Sequence, residues 1–273
     1  MNDGFVEVNG HQLRYRLRGD GPLAIFGHGI LGSIEQLLGD TESLARVEQR
    51  LRVLLYDARG HGRSAGPTHA AGYTWETLGL DMAALIEAHS ETPAIVGGAS
   101  MGAATALWVA IERPELVRAA VIVMPPPLGH RHLRGPEEHQ AIEVLSALGV
   151  AIENFGLETT IATLGQWPGL GASEEERQSR IDWLSGQNPE TVLHVIKGLM
   201  GAPFHDPELY RQIEVPMLVL AHEGDGLHPA RAARLLAEHA PNARLVVAPQ
   251  QGHWQRSPTA LLAEMETFLE ELG

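Results

Sequence analysis

The chain of 273 residues contains no cysteine. That absence excludes disulfides, thiolate zinc sites, iron–sulfur clusters and a cysteine nucleophile. It is also nearly without lysine: Lys197 is the single one among 20 basic residues, set against 34 acidic ones for a net charge of −14. A chain of that balance has no basic face to neutralise nucleic-acid phosphates or to dock on anionic lipid. No run approaches the roughly 18 consecutive apolar residues of a membrane span. The first residues include Asp3 and Glu7, where a secretion signal carries basic side chains, so a cytoplasmic location is expected. What is present is ordinary for a globular enzyme-sized protein, with 44% hydrophobic and 20% charged residues and enough length to bury a large core. A small-molecule partner fits this composition; nucleic acid and membrane do not.

Two alternating runs, Phe5 to Val8 and Leu13 to Leu17, flank Asn9-Gly10 and predict a hairpin. Short continuous apolar runs follow at Leu23 to Phe26, Arg52 to Tyr56, Ala94 to Val96, Ala119 to Val123, Met217 to Leu220 and Arg244 to Val247. Such runs suit parallel strands covered on both faces. Between them lie helical stripes: Leu78, Met82, Leu85, Ile86; Ala104, Leu107, Trp108, Ile111; and Leu261, Met265, Phe268, Leu272. The alternation predicts an α/β fold. It is interrupted from about Pro126 to Arg211, where only helical signals occur. Ser173-Glu-Glu-Glu176 has the form of a capping box, and Asn188-Pro189 and Asp206-Pro207 that of an N-cap followed by proline. The expected organisation is a core of residues 1–125 and 212–273 with a helical insertion over 126–211.

Gly98-Ala99-Ser100-Met101-Gly102 falls where a strand hands over to a helix. G-x-S-x-G is a weak pattern alone, but at a sharp strand-to-helix turn it lifts the serine hydroxyl over the carboxyl end of the sheet. There the free N–H groups and positive dipole end of the helix converge on it. A serine nucleophile needs a base. Gly-His occurs five times, at His11, His28, His61, His130 and His253. Only His253 lies between the last strand and the last helix, the same sheet edge as Ser100, and it is the expected base. Asp225, in the loop after Met217 to Leu220, is the expected orienter of the imidazole, with Glu223 as the competing carboxylate. The order Ser100, Asp225, His253 is that of one hydrolase architecture. Gly27-His28-Gly29-Ile30-Leu31-Gly32-Ser33 can present the Ile30 amide beside that of Met101 to an oxyanion. No G-x-G-x-x-G opens a helix there, so a dinucleotide site is excluded.

Taken together, Gly27-His28-Gly29, Tyr56 to Ser64, Gly98 to Gly102, Asp225 to Pro229 and Gly252-His253 resemble the α/β-hydrolase superfamily, in its capped esterase, lactonase and cofactor-free perhydrolase branch. The resemblance covers nearly all of the chain except the insertion. It implies an eight-stranded, mostly parallel sheet flanked by helices, with a helical cap inserted after the sixth strand as a lid over the active site. It implies no cofactor or metal. Two positions depart from the family pattern: His222 stands where a glycine often precedes the acid by three residues. Trp254 after His253 resembles the Gly-His-Trp of hydrolases that cleave carbon–carbon bonds of ring-fission products. Trp254 is expected to contact substrate or to pack under the lid. The lid aromatics Phe155, Trp167, Trp183 and Phe204 either line an apolar acyl site or form the lid's own core. His130, His132 and His139 are expected to be a solvated cluster, without metal-ligand spacing. The expected activity is hydrolysis of small carboxylic esters or lactones through an acyl-enzyme. The rivals are carbon–carbon bond hydrolysis, perhydrolysis, and a non-catalytic ligand receptor on the same fold.

Overall fold

The computed structural model describes residues 2–37, 45–127, 129, 131–164 and 174–273. Trp167, Ser173 and His130 lie outside these. Strands β1 (Asn2–Val8) and β2 (His11–Arg18) form the hairpin. Its turn places Asn9 (φ 46°) and Gly10 (φ 80°) in the left-handed region that a two-residue loop requires. The sheet continues with β3 (Leu23–Gly27), β4 (Arg52–Tyr56), β5 (Ala94–Ala99), β6 (Val117–Val123), β7 (Met217–His222) and β8 (Ala243–Ala248). Its spatial order is β1-β2-β4-β3-β5-β6-β7-β8; the first two pairings are antiparallel and all others parallel.

The continuous apolar runs divide between two faces with the strand period of two. Ile25, Leu54, Val96, Ile122 and Val219 pack toward helices α2 (Trp75–His89) and α3 (Met101–Glu112), which follow the short α1 (Ile34–Leu37). Ala24, Val53, Leu55, Ile95, Val121 and Leu220 pack on the opposite face, against Leu262 and Phe268. Between β6 and β7 lies the helical cap, with α4 (Pro136–Phe155), α5 (Leu157–Leu164), α6 (Glu174–Ser185) and α7 (Pro189–Gly201). It has its own small core of Ile152, Leu157, Ile161, Leu184, Val192 and Ile196. As its sequence predicts, α7 is capped by Asn188 Oδ1, which accepts from the amides of Glu190 and Thr191. The chain finishes with α8 (Ala230–His239), α9 (His253–Arg256) and α10 (Pro258–Glu271). No helix among the described residues is long and apolar enough to cross a membrane.

From β3 the chain moves to β4 on one side, then returns to β5 on the other. The crevice outside the carboxyl ends of β3 and β5 is therefore the topological switch point, where doubly wound sheets bind ligands.

Candidate active site

Ser100 sits between the end of β5 and the first residue of α3 with φ 53° and ψ −110°. This is a left-handed conformation that costs a non-glycine residue about 1–2 kcal/mol. Glycines make the turn sterically possible. A β-carbon on Gly102 would stand 2.0 Å from the Gly27 carbonyl oxygen, and one on Gly98 (φ 155°) 2.3 Å from the same atom. Two amides hold the turn: Ser100 N–H donates to Val123 O (3.1 Å) and Gly102 N–H to His28 O (2.9 Å).

The Ser100 hydroxyl meets an imidazole, and that imidazole is His228. Its Nε2 is 2.8 Å from Ser100 Oγ, and its Nδ1 is 2.9 Å from Asp225 Oδ2. With the carboxylate ionised, the ring carries its proton on Nδ1 and donates it to Asp225, leaving Nε2 to accept from the serine. Asp225 Oδ1 accepts from the amides of Leu227 (2.8 Å) and His228 (3.1 Å). Burial pushes the Asp225 carboxyl up. The His228 hydrogen bond and charge, with the two amides, outweigh it and hold the group well below the ordinary carboxylate range.

The structure thus brings His228, and not the expected His253, onto Ser100. His253 opens α9 after Gly252 in the left-handed conformation (φ 72°), and its ring lies edge-on to Trp254 at 4.7 Å. It makes no side-chain hydrogen bond among the described residues. Trp254, expected to contact substrate or to pack, lies in the core. It is 4% exposed, donates Nε1–H to Ala221 O (2.9 Å) and belongs to the core on the α10 face, in a cluster that holds no cap residue among the described residues. Glu223 pairs with Arg234 at the surface.

His222 is buried behind the acid. Its Nδ1 accepts from the Gly252 amide (3.2 Å), so a neutral ring bears its proton on Nε2. That atom contacts Met124 Sδ at 3.2 Å and lies 3.3 Å from Asp225 Oδ2. Burial, its largest cause, lowers the His222 pKa despite the nearby carboxylate.

The loop after β3 is held as firmly. His28 Nε2 accepts from the Ala58 amide (3.0 Å), which puts the ring proton on Nδ1, 2.7 Å from Gly29 O. The same carbonyl accepts from Gly32 N–H at 2.9 Å. Of these two bonds, the one from His28 comes from the core and the one from Gly32 from the turn itself, so the plane of the Gly29–Ile30 peptide, and hence the direction of the Ile30 N–H, depends on the turn keeping its shape. A β-carbon on Gly29 would be 3.6 Å from Ser100 Cβ, so this peptide lies against the nucleophile. Leu31, third residue of the turn, has φ 58°. Of the lid aromatics, Phe204 packs edge-on against Trp75 (5.7 Å), Phe155 is 68% exposed, and Trp183 Nε1–H donates to Leu31 O. His139 Nδ1 lies 3.0 Å from Gly135 O in the first turn of α4.

A family model for the alpha/beta hydrolase fold matches residues 22–141, and one described as TAP-like protein matches residues 201–272. The chain is 33% identical over 247 residues to the uncharacterized hydrolase YraK of Bacillus subtilis, covering 87% of this chain and 85% of that one. It is 26% identical to a 2-(acetamidomethylene)succinate hydrolase of Mesorhizobium japonicum over 97% of this chain and 94% of that one. An enol-lactonase from Burkholderia xenovorans superposes with a TM-score of 0.79 at 22% identity, over 98% of this chain and 100% of that chain. Fold and relatives together define a hydrolase. The chain belongs to the α/β-hydrolase superfamily.

Proposed function

We propose that the protein is a serine hydrolase of small, uncharged carboxylic esters or lactones, working through an acyl-enzyme. The observation that carries this reading is the unbroken line from Ser100 Oγ through His228 to Asp225. Ser100 Oγ attacks the carbonyl carbon while its proton passes to His228 Nε2, and Asp225 stabilises the imidazolium that forms. The amides of Ile30 and Met101 take the developing oxyanion. Collapse breaks the carbon–oxygen bond of the ester, and the leaving alkoxide receives the proton from His228. Water then repeats the sequence on the acyl-enzyme. No step calls for a cofactor or metal.

An uncharged substrate is supported by a cavity of about 270 Å³ between Leu31, the 60–66 loop and residues 186–192 of the cap, which no Asp, Glu, Lys or Arg lines among the described residues. It reaches the oxyanion turn at Leu31 and does not include Ser100 or His228 in its wall. The cap in this reading is the segment 126–211 over a core of 1–125 and 212–273.

Ser100→Ala is expected to lower ester turnover at least about 10³-fold with the fold retained, and a phosphonate probe to label Ser100 alone. Labelling elsewhere, or undiminished turnover, would overturn the reading. A panel of activated short-chain esters run beside a vinylogous diketone separates ester from carbon–carbon cleavage. Stoichiometric binding without turnover marks a receptor instead. A second reading keeps His253 as the base. It is favoured by one observation: His253 follows directly on Gly252, whose amide donates to His222, the ring that lies 3.3 Å from Asp225 Oδ2.

A further inference from the structure

The turn that presents the Ile30 amide is held from outside the core. Residues 29–32 form a turn closed by Gly32 N–H on Gly29 O, 2.9 Å. Its third position, Leu31, adopts φ 58°, a conformation that favours glycine. Strain of this kind persists only where neighbours over-determine it. Two neighbours do so here, and both are in the cap. Trp183 of α6 donates its indole N–H to Leu31 O, and the side chains of Ile30 and Leu31 pack against the cap's own core as well as the main one. The core side of the loop fixes the Gly29 carbonyl through His28. The cap side fixes the Leu31 carbonyl two peptides on.

We infer that Trp183 is a positioning residue: its indole N–H holds the strained Leu31 peptide so that the preceding Ile30 N–H is aimed at the oxyanion, and seating of the cap thereby sets the oxyanion hole. This rests on the serine-hydrolase reading above. The turn needs both anchors because a type II-like turn with leucine in its third position relaxes readily to one with negative φ, which rotates the neighbouring peptides. A rotated amide loses its alignment with charge that exists only in the tetrahedral state. The signature of the role is therefore a fall in kcat without a matching change in KM.

The test uses the full chain and one activated ester. Trp183→Phe keeps an aromatic ring against the loop and removes the N–H. It is expected to lower kcat about tenfold, a fraction of the loss from deleting an oxyanion donor outright. KM is expected to stay within about twofold, and the inhibition constant of a trifluoromethyl ketone, which forms a tetrahedral oxyanion adduct, to rise by the same factor as kcat falls. Leu31→Gly removes the backbone strain, so Trp183→Phe in that background is expected to cost less than about threefold. An unchanged inhibition constant in Trp183→Phe, even with a lower melting temperature, would overturn the inference, as would an equal loss in both backgrounds. Ser100→Ala measured alongside keeps the two claims apart. If it retains turnover, the serine reading falls; if it is inactive and Trp183→Phe is silent, only the role of Trp183 falls.

Discussion

Two neighbouring loops leave the carboxyl ends of β7 and β8, and each carries a histidine. Their difference lies in where their backbone hydrogen bonds go. In the loop after β7, Asp225 folds the chain around its own carboxylate, accepting from the amides of Leu227 and His228. That turn swings the His228 ring back onto the acid and out to Ser100. In the loop after β8, the Gly252 amide is spent on His222, and Trp254 is pinned behind the sheet by its bond to Ala221 O. His253 starts a helical turn with its ring against that tryptophan. Local turn chemistry therefore brings His228 to the nucleophile, and the order serine, acid, histidine along the chain is kept.

The sharpest way to break this comparison is to remove each ring in turn. His228→Gln is expected to lower kcat/KM by about 10³-fold or more, since it deletes the group that accepts the serine proton. His253→Gln is expected to cost less than about tenfold. Steady-state kinetics on one ester decides. If His253→Gln is the crippling change, the loop after β8 supplies the base, and the His228 contact describes only a resting arrangement.

This outcome also bears on how much the residues alone disclose. Ser100 is legible because glycines at 98 and 102 bracket it at a strand-to-helix junction, and both are required by close approach to Gly27. The parallel strands are legible because β3 to β7 are buried on both faces, and even the half-buried edge strand β8 keeps an apolar run. His228 is not legible: it has no periodicity, and its approach to Ser100 spans 128 residues. The one local signal is Asp225-Gly-Leu-His228-Pro, in which an aspartate two and three residues before free amides can close a turn on them. The packing of Trp254 is not legible, because a residue that follows a histidine in sequence need not share its side of the sheet.

The two carboxylates of the β7 loop sharpen the comparison at the next level. Asp225→Asn is expected to cost at least about 10² in kcat, a discounted reading of the serine-protease case that serves as the general example. Glu223→Gln is expected to cost less than about tenfold, because that side chain is paired with Arg234 and faces solvent. The double variant should match Asp225→Asn alone. Mild single variants with an inactive double would show that the acids share the role.

Acid inactivation through the base must be separated from acid unfolding, and two further histidines supply the latter. Burial, the largest cause for each, lowers His28 to about 4 and His61 to about 3. An unfolded histidine titrates near about 6.5, so between that pH and 4 the unfolded chain binds more protons than the native one. Stability is therefore full above about 6.5 and falls with pH down to about 4, each ring contributing on the order of 3 kcal/mol across the window. His61 Nδ1 lies 2.8 Å from Arg59 O, a bond that an asparagine amide can replace. His61→Asn is expected to flatten the pH dependence of the unfolding free energy between 7 and 4 by about that amount, measured by urea unfolding. An unchanged slope would mean that the ring is protonated in the native state.

The smallest expected effect concerns the residue beside His253. Trp254 donates its indole N–H to Ala221 O and packs with Leu262 and Phe268 on the face of the sheet covered by α10. Trp254→Phe keeps most of the apolar surface, loses one buried hydrogen bond and leaves a partly unfilled space. The lost bond alone is worth about 1 kcal/mol, and the space adds to it. For a chain of this size that is a melting temperature lower by about 2–4 °C. Because the ring packs with no cap residue among the described ones and is held by Ala221 O, kcat and KM for a short-chain ester should stay within about twofold. A KM that moves while the melting temperature does not would place Trp254 against substrate after all. It would also free His253 from its present contact, and so reopen the question of which loop serves Ser100.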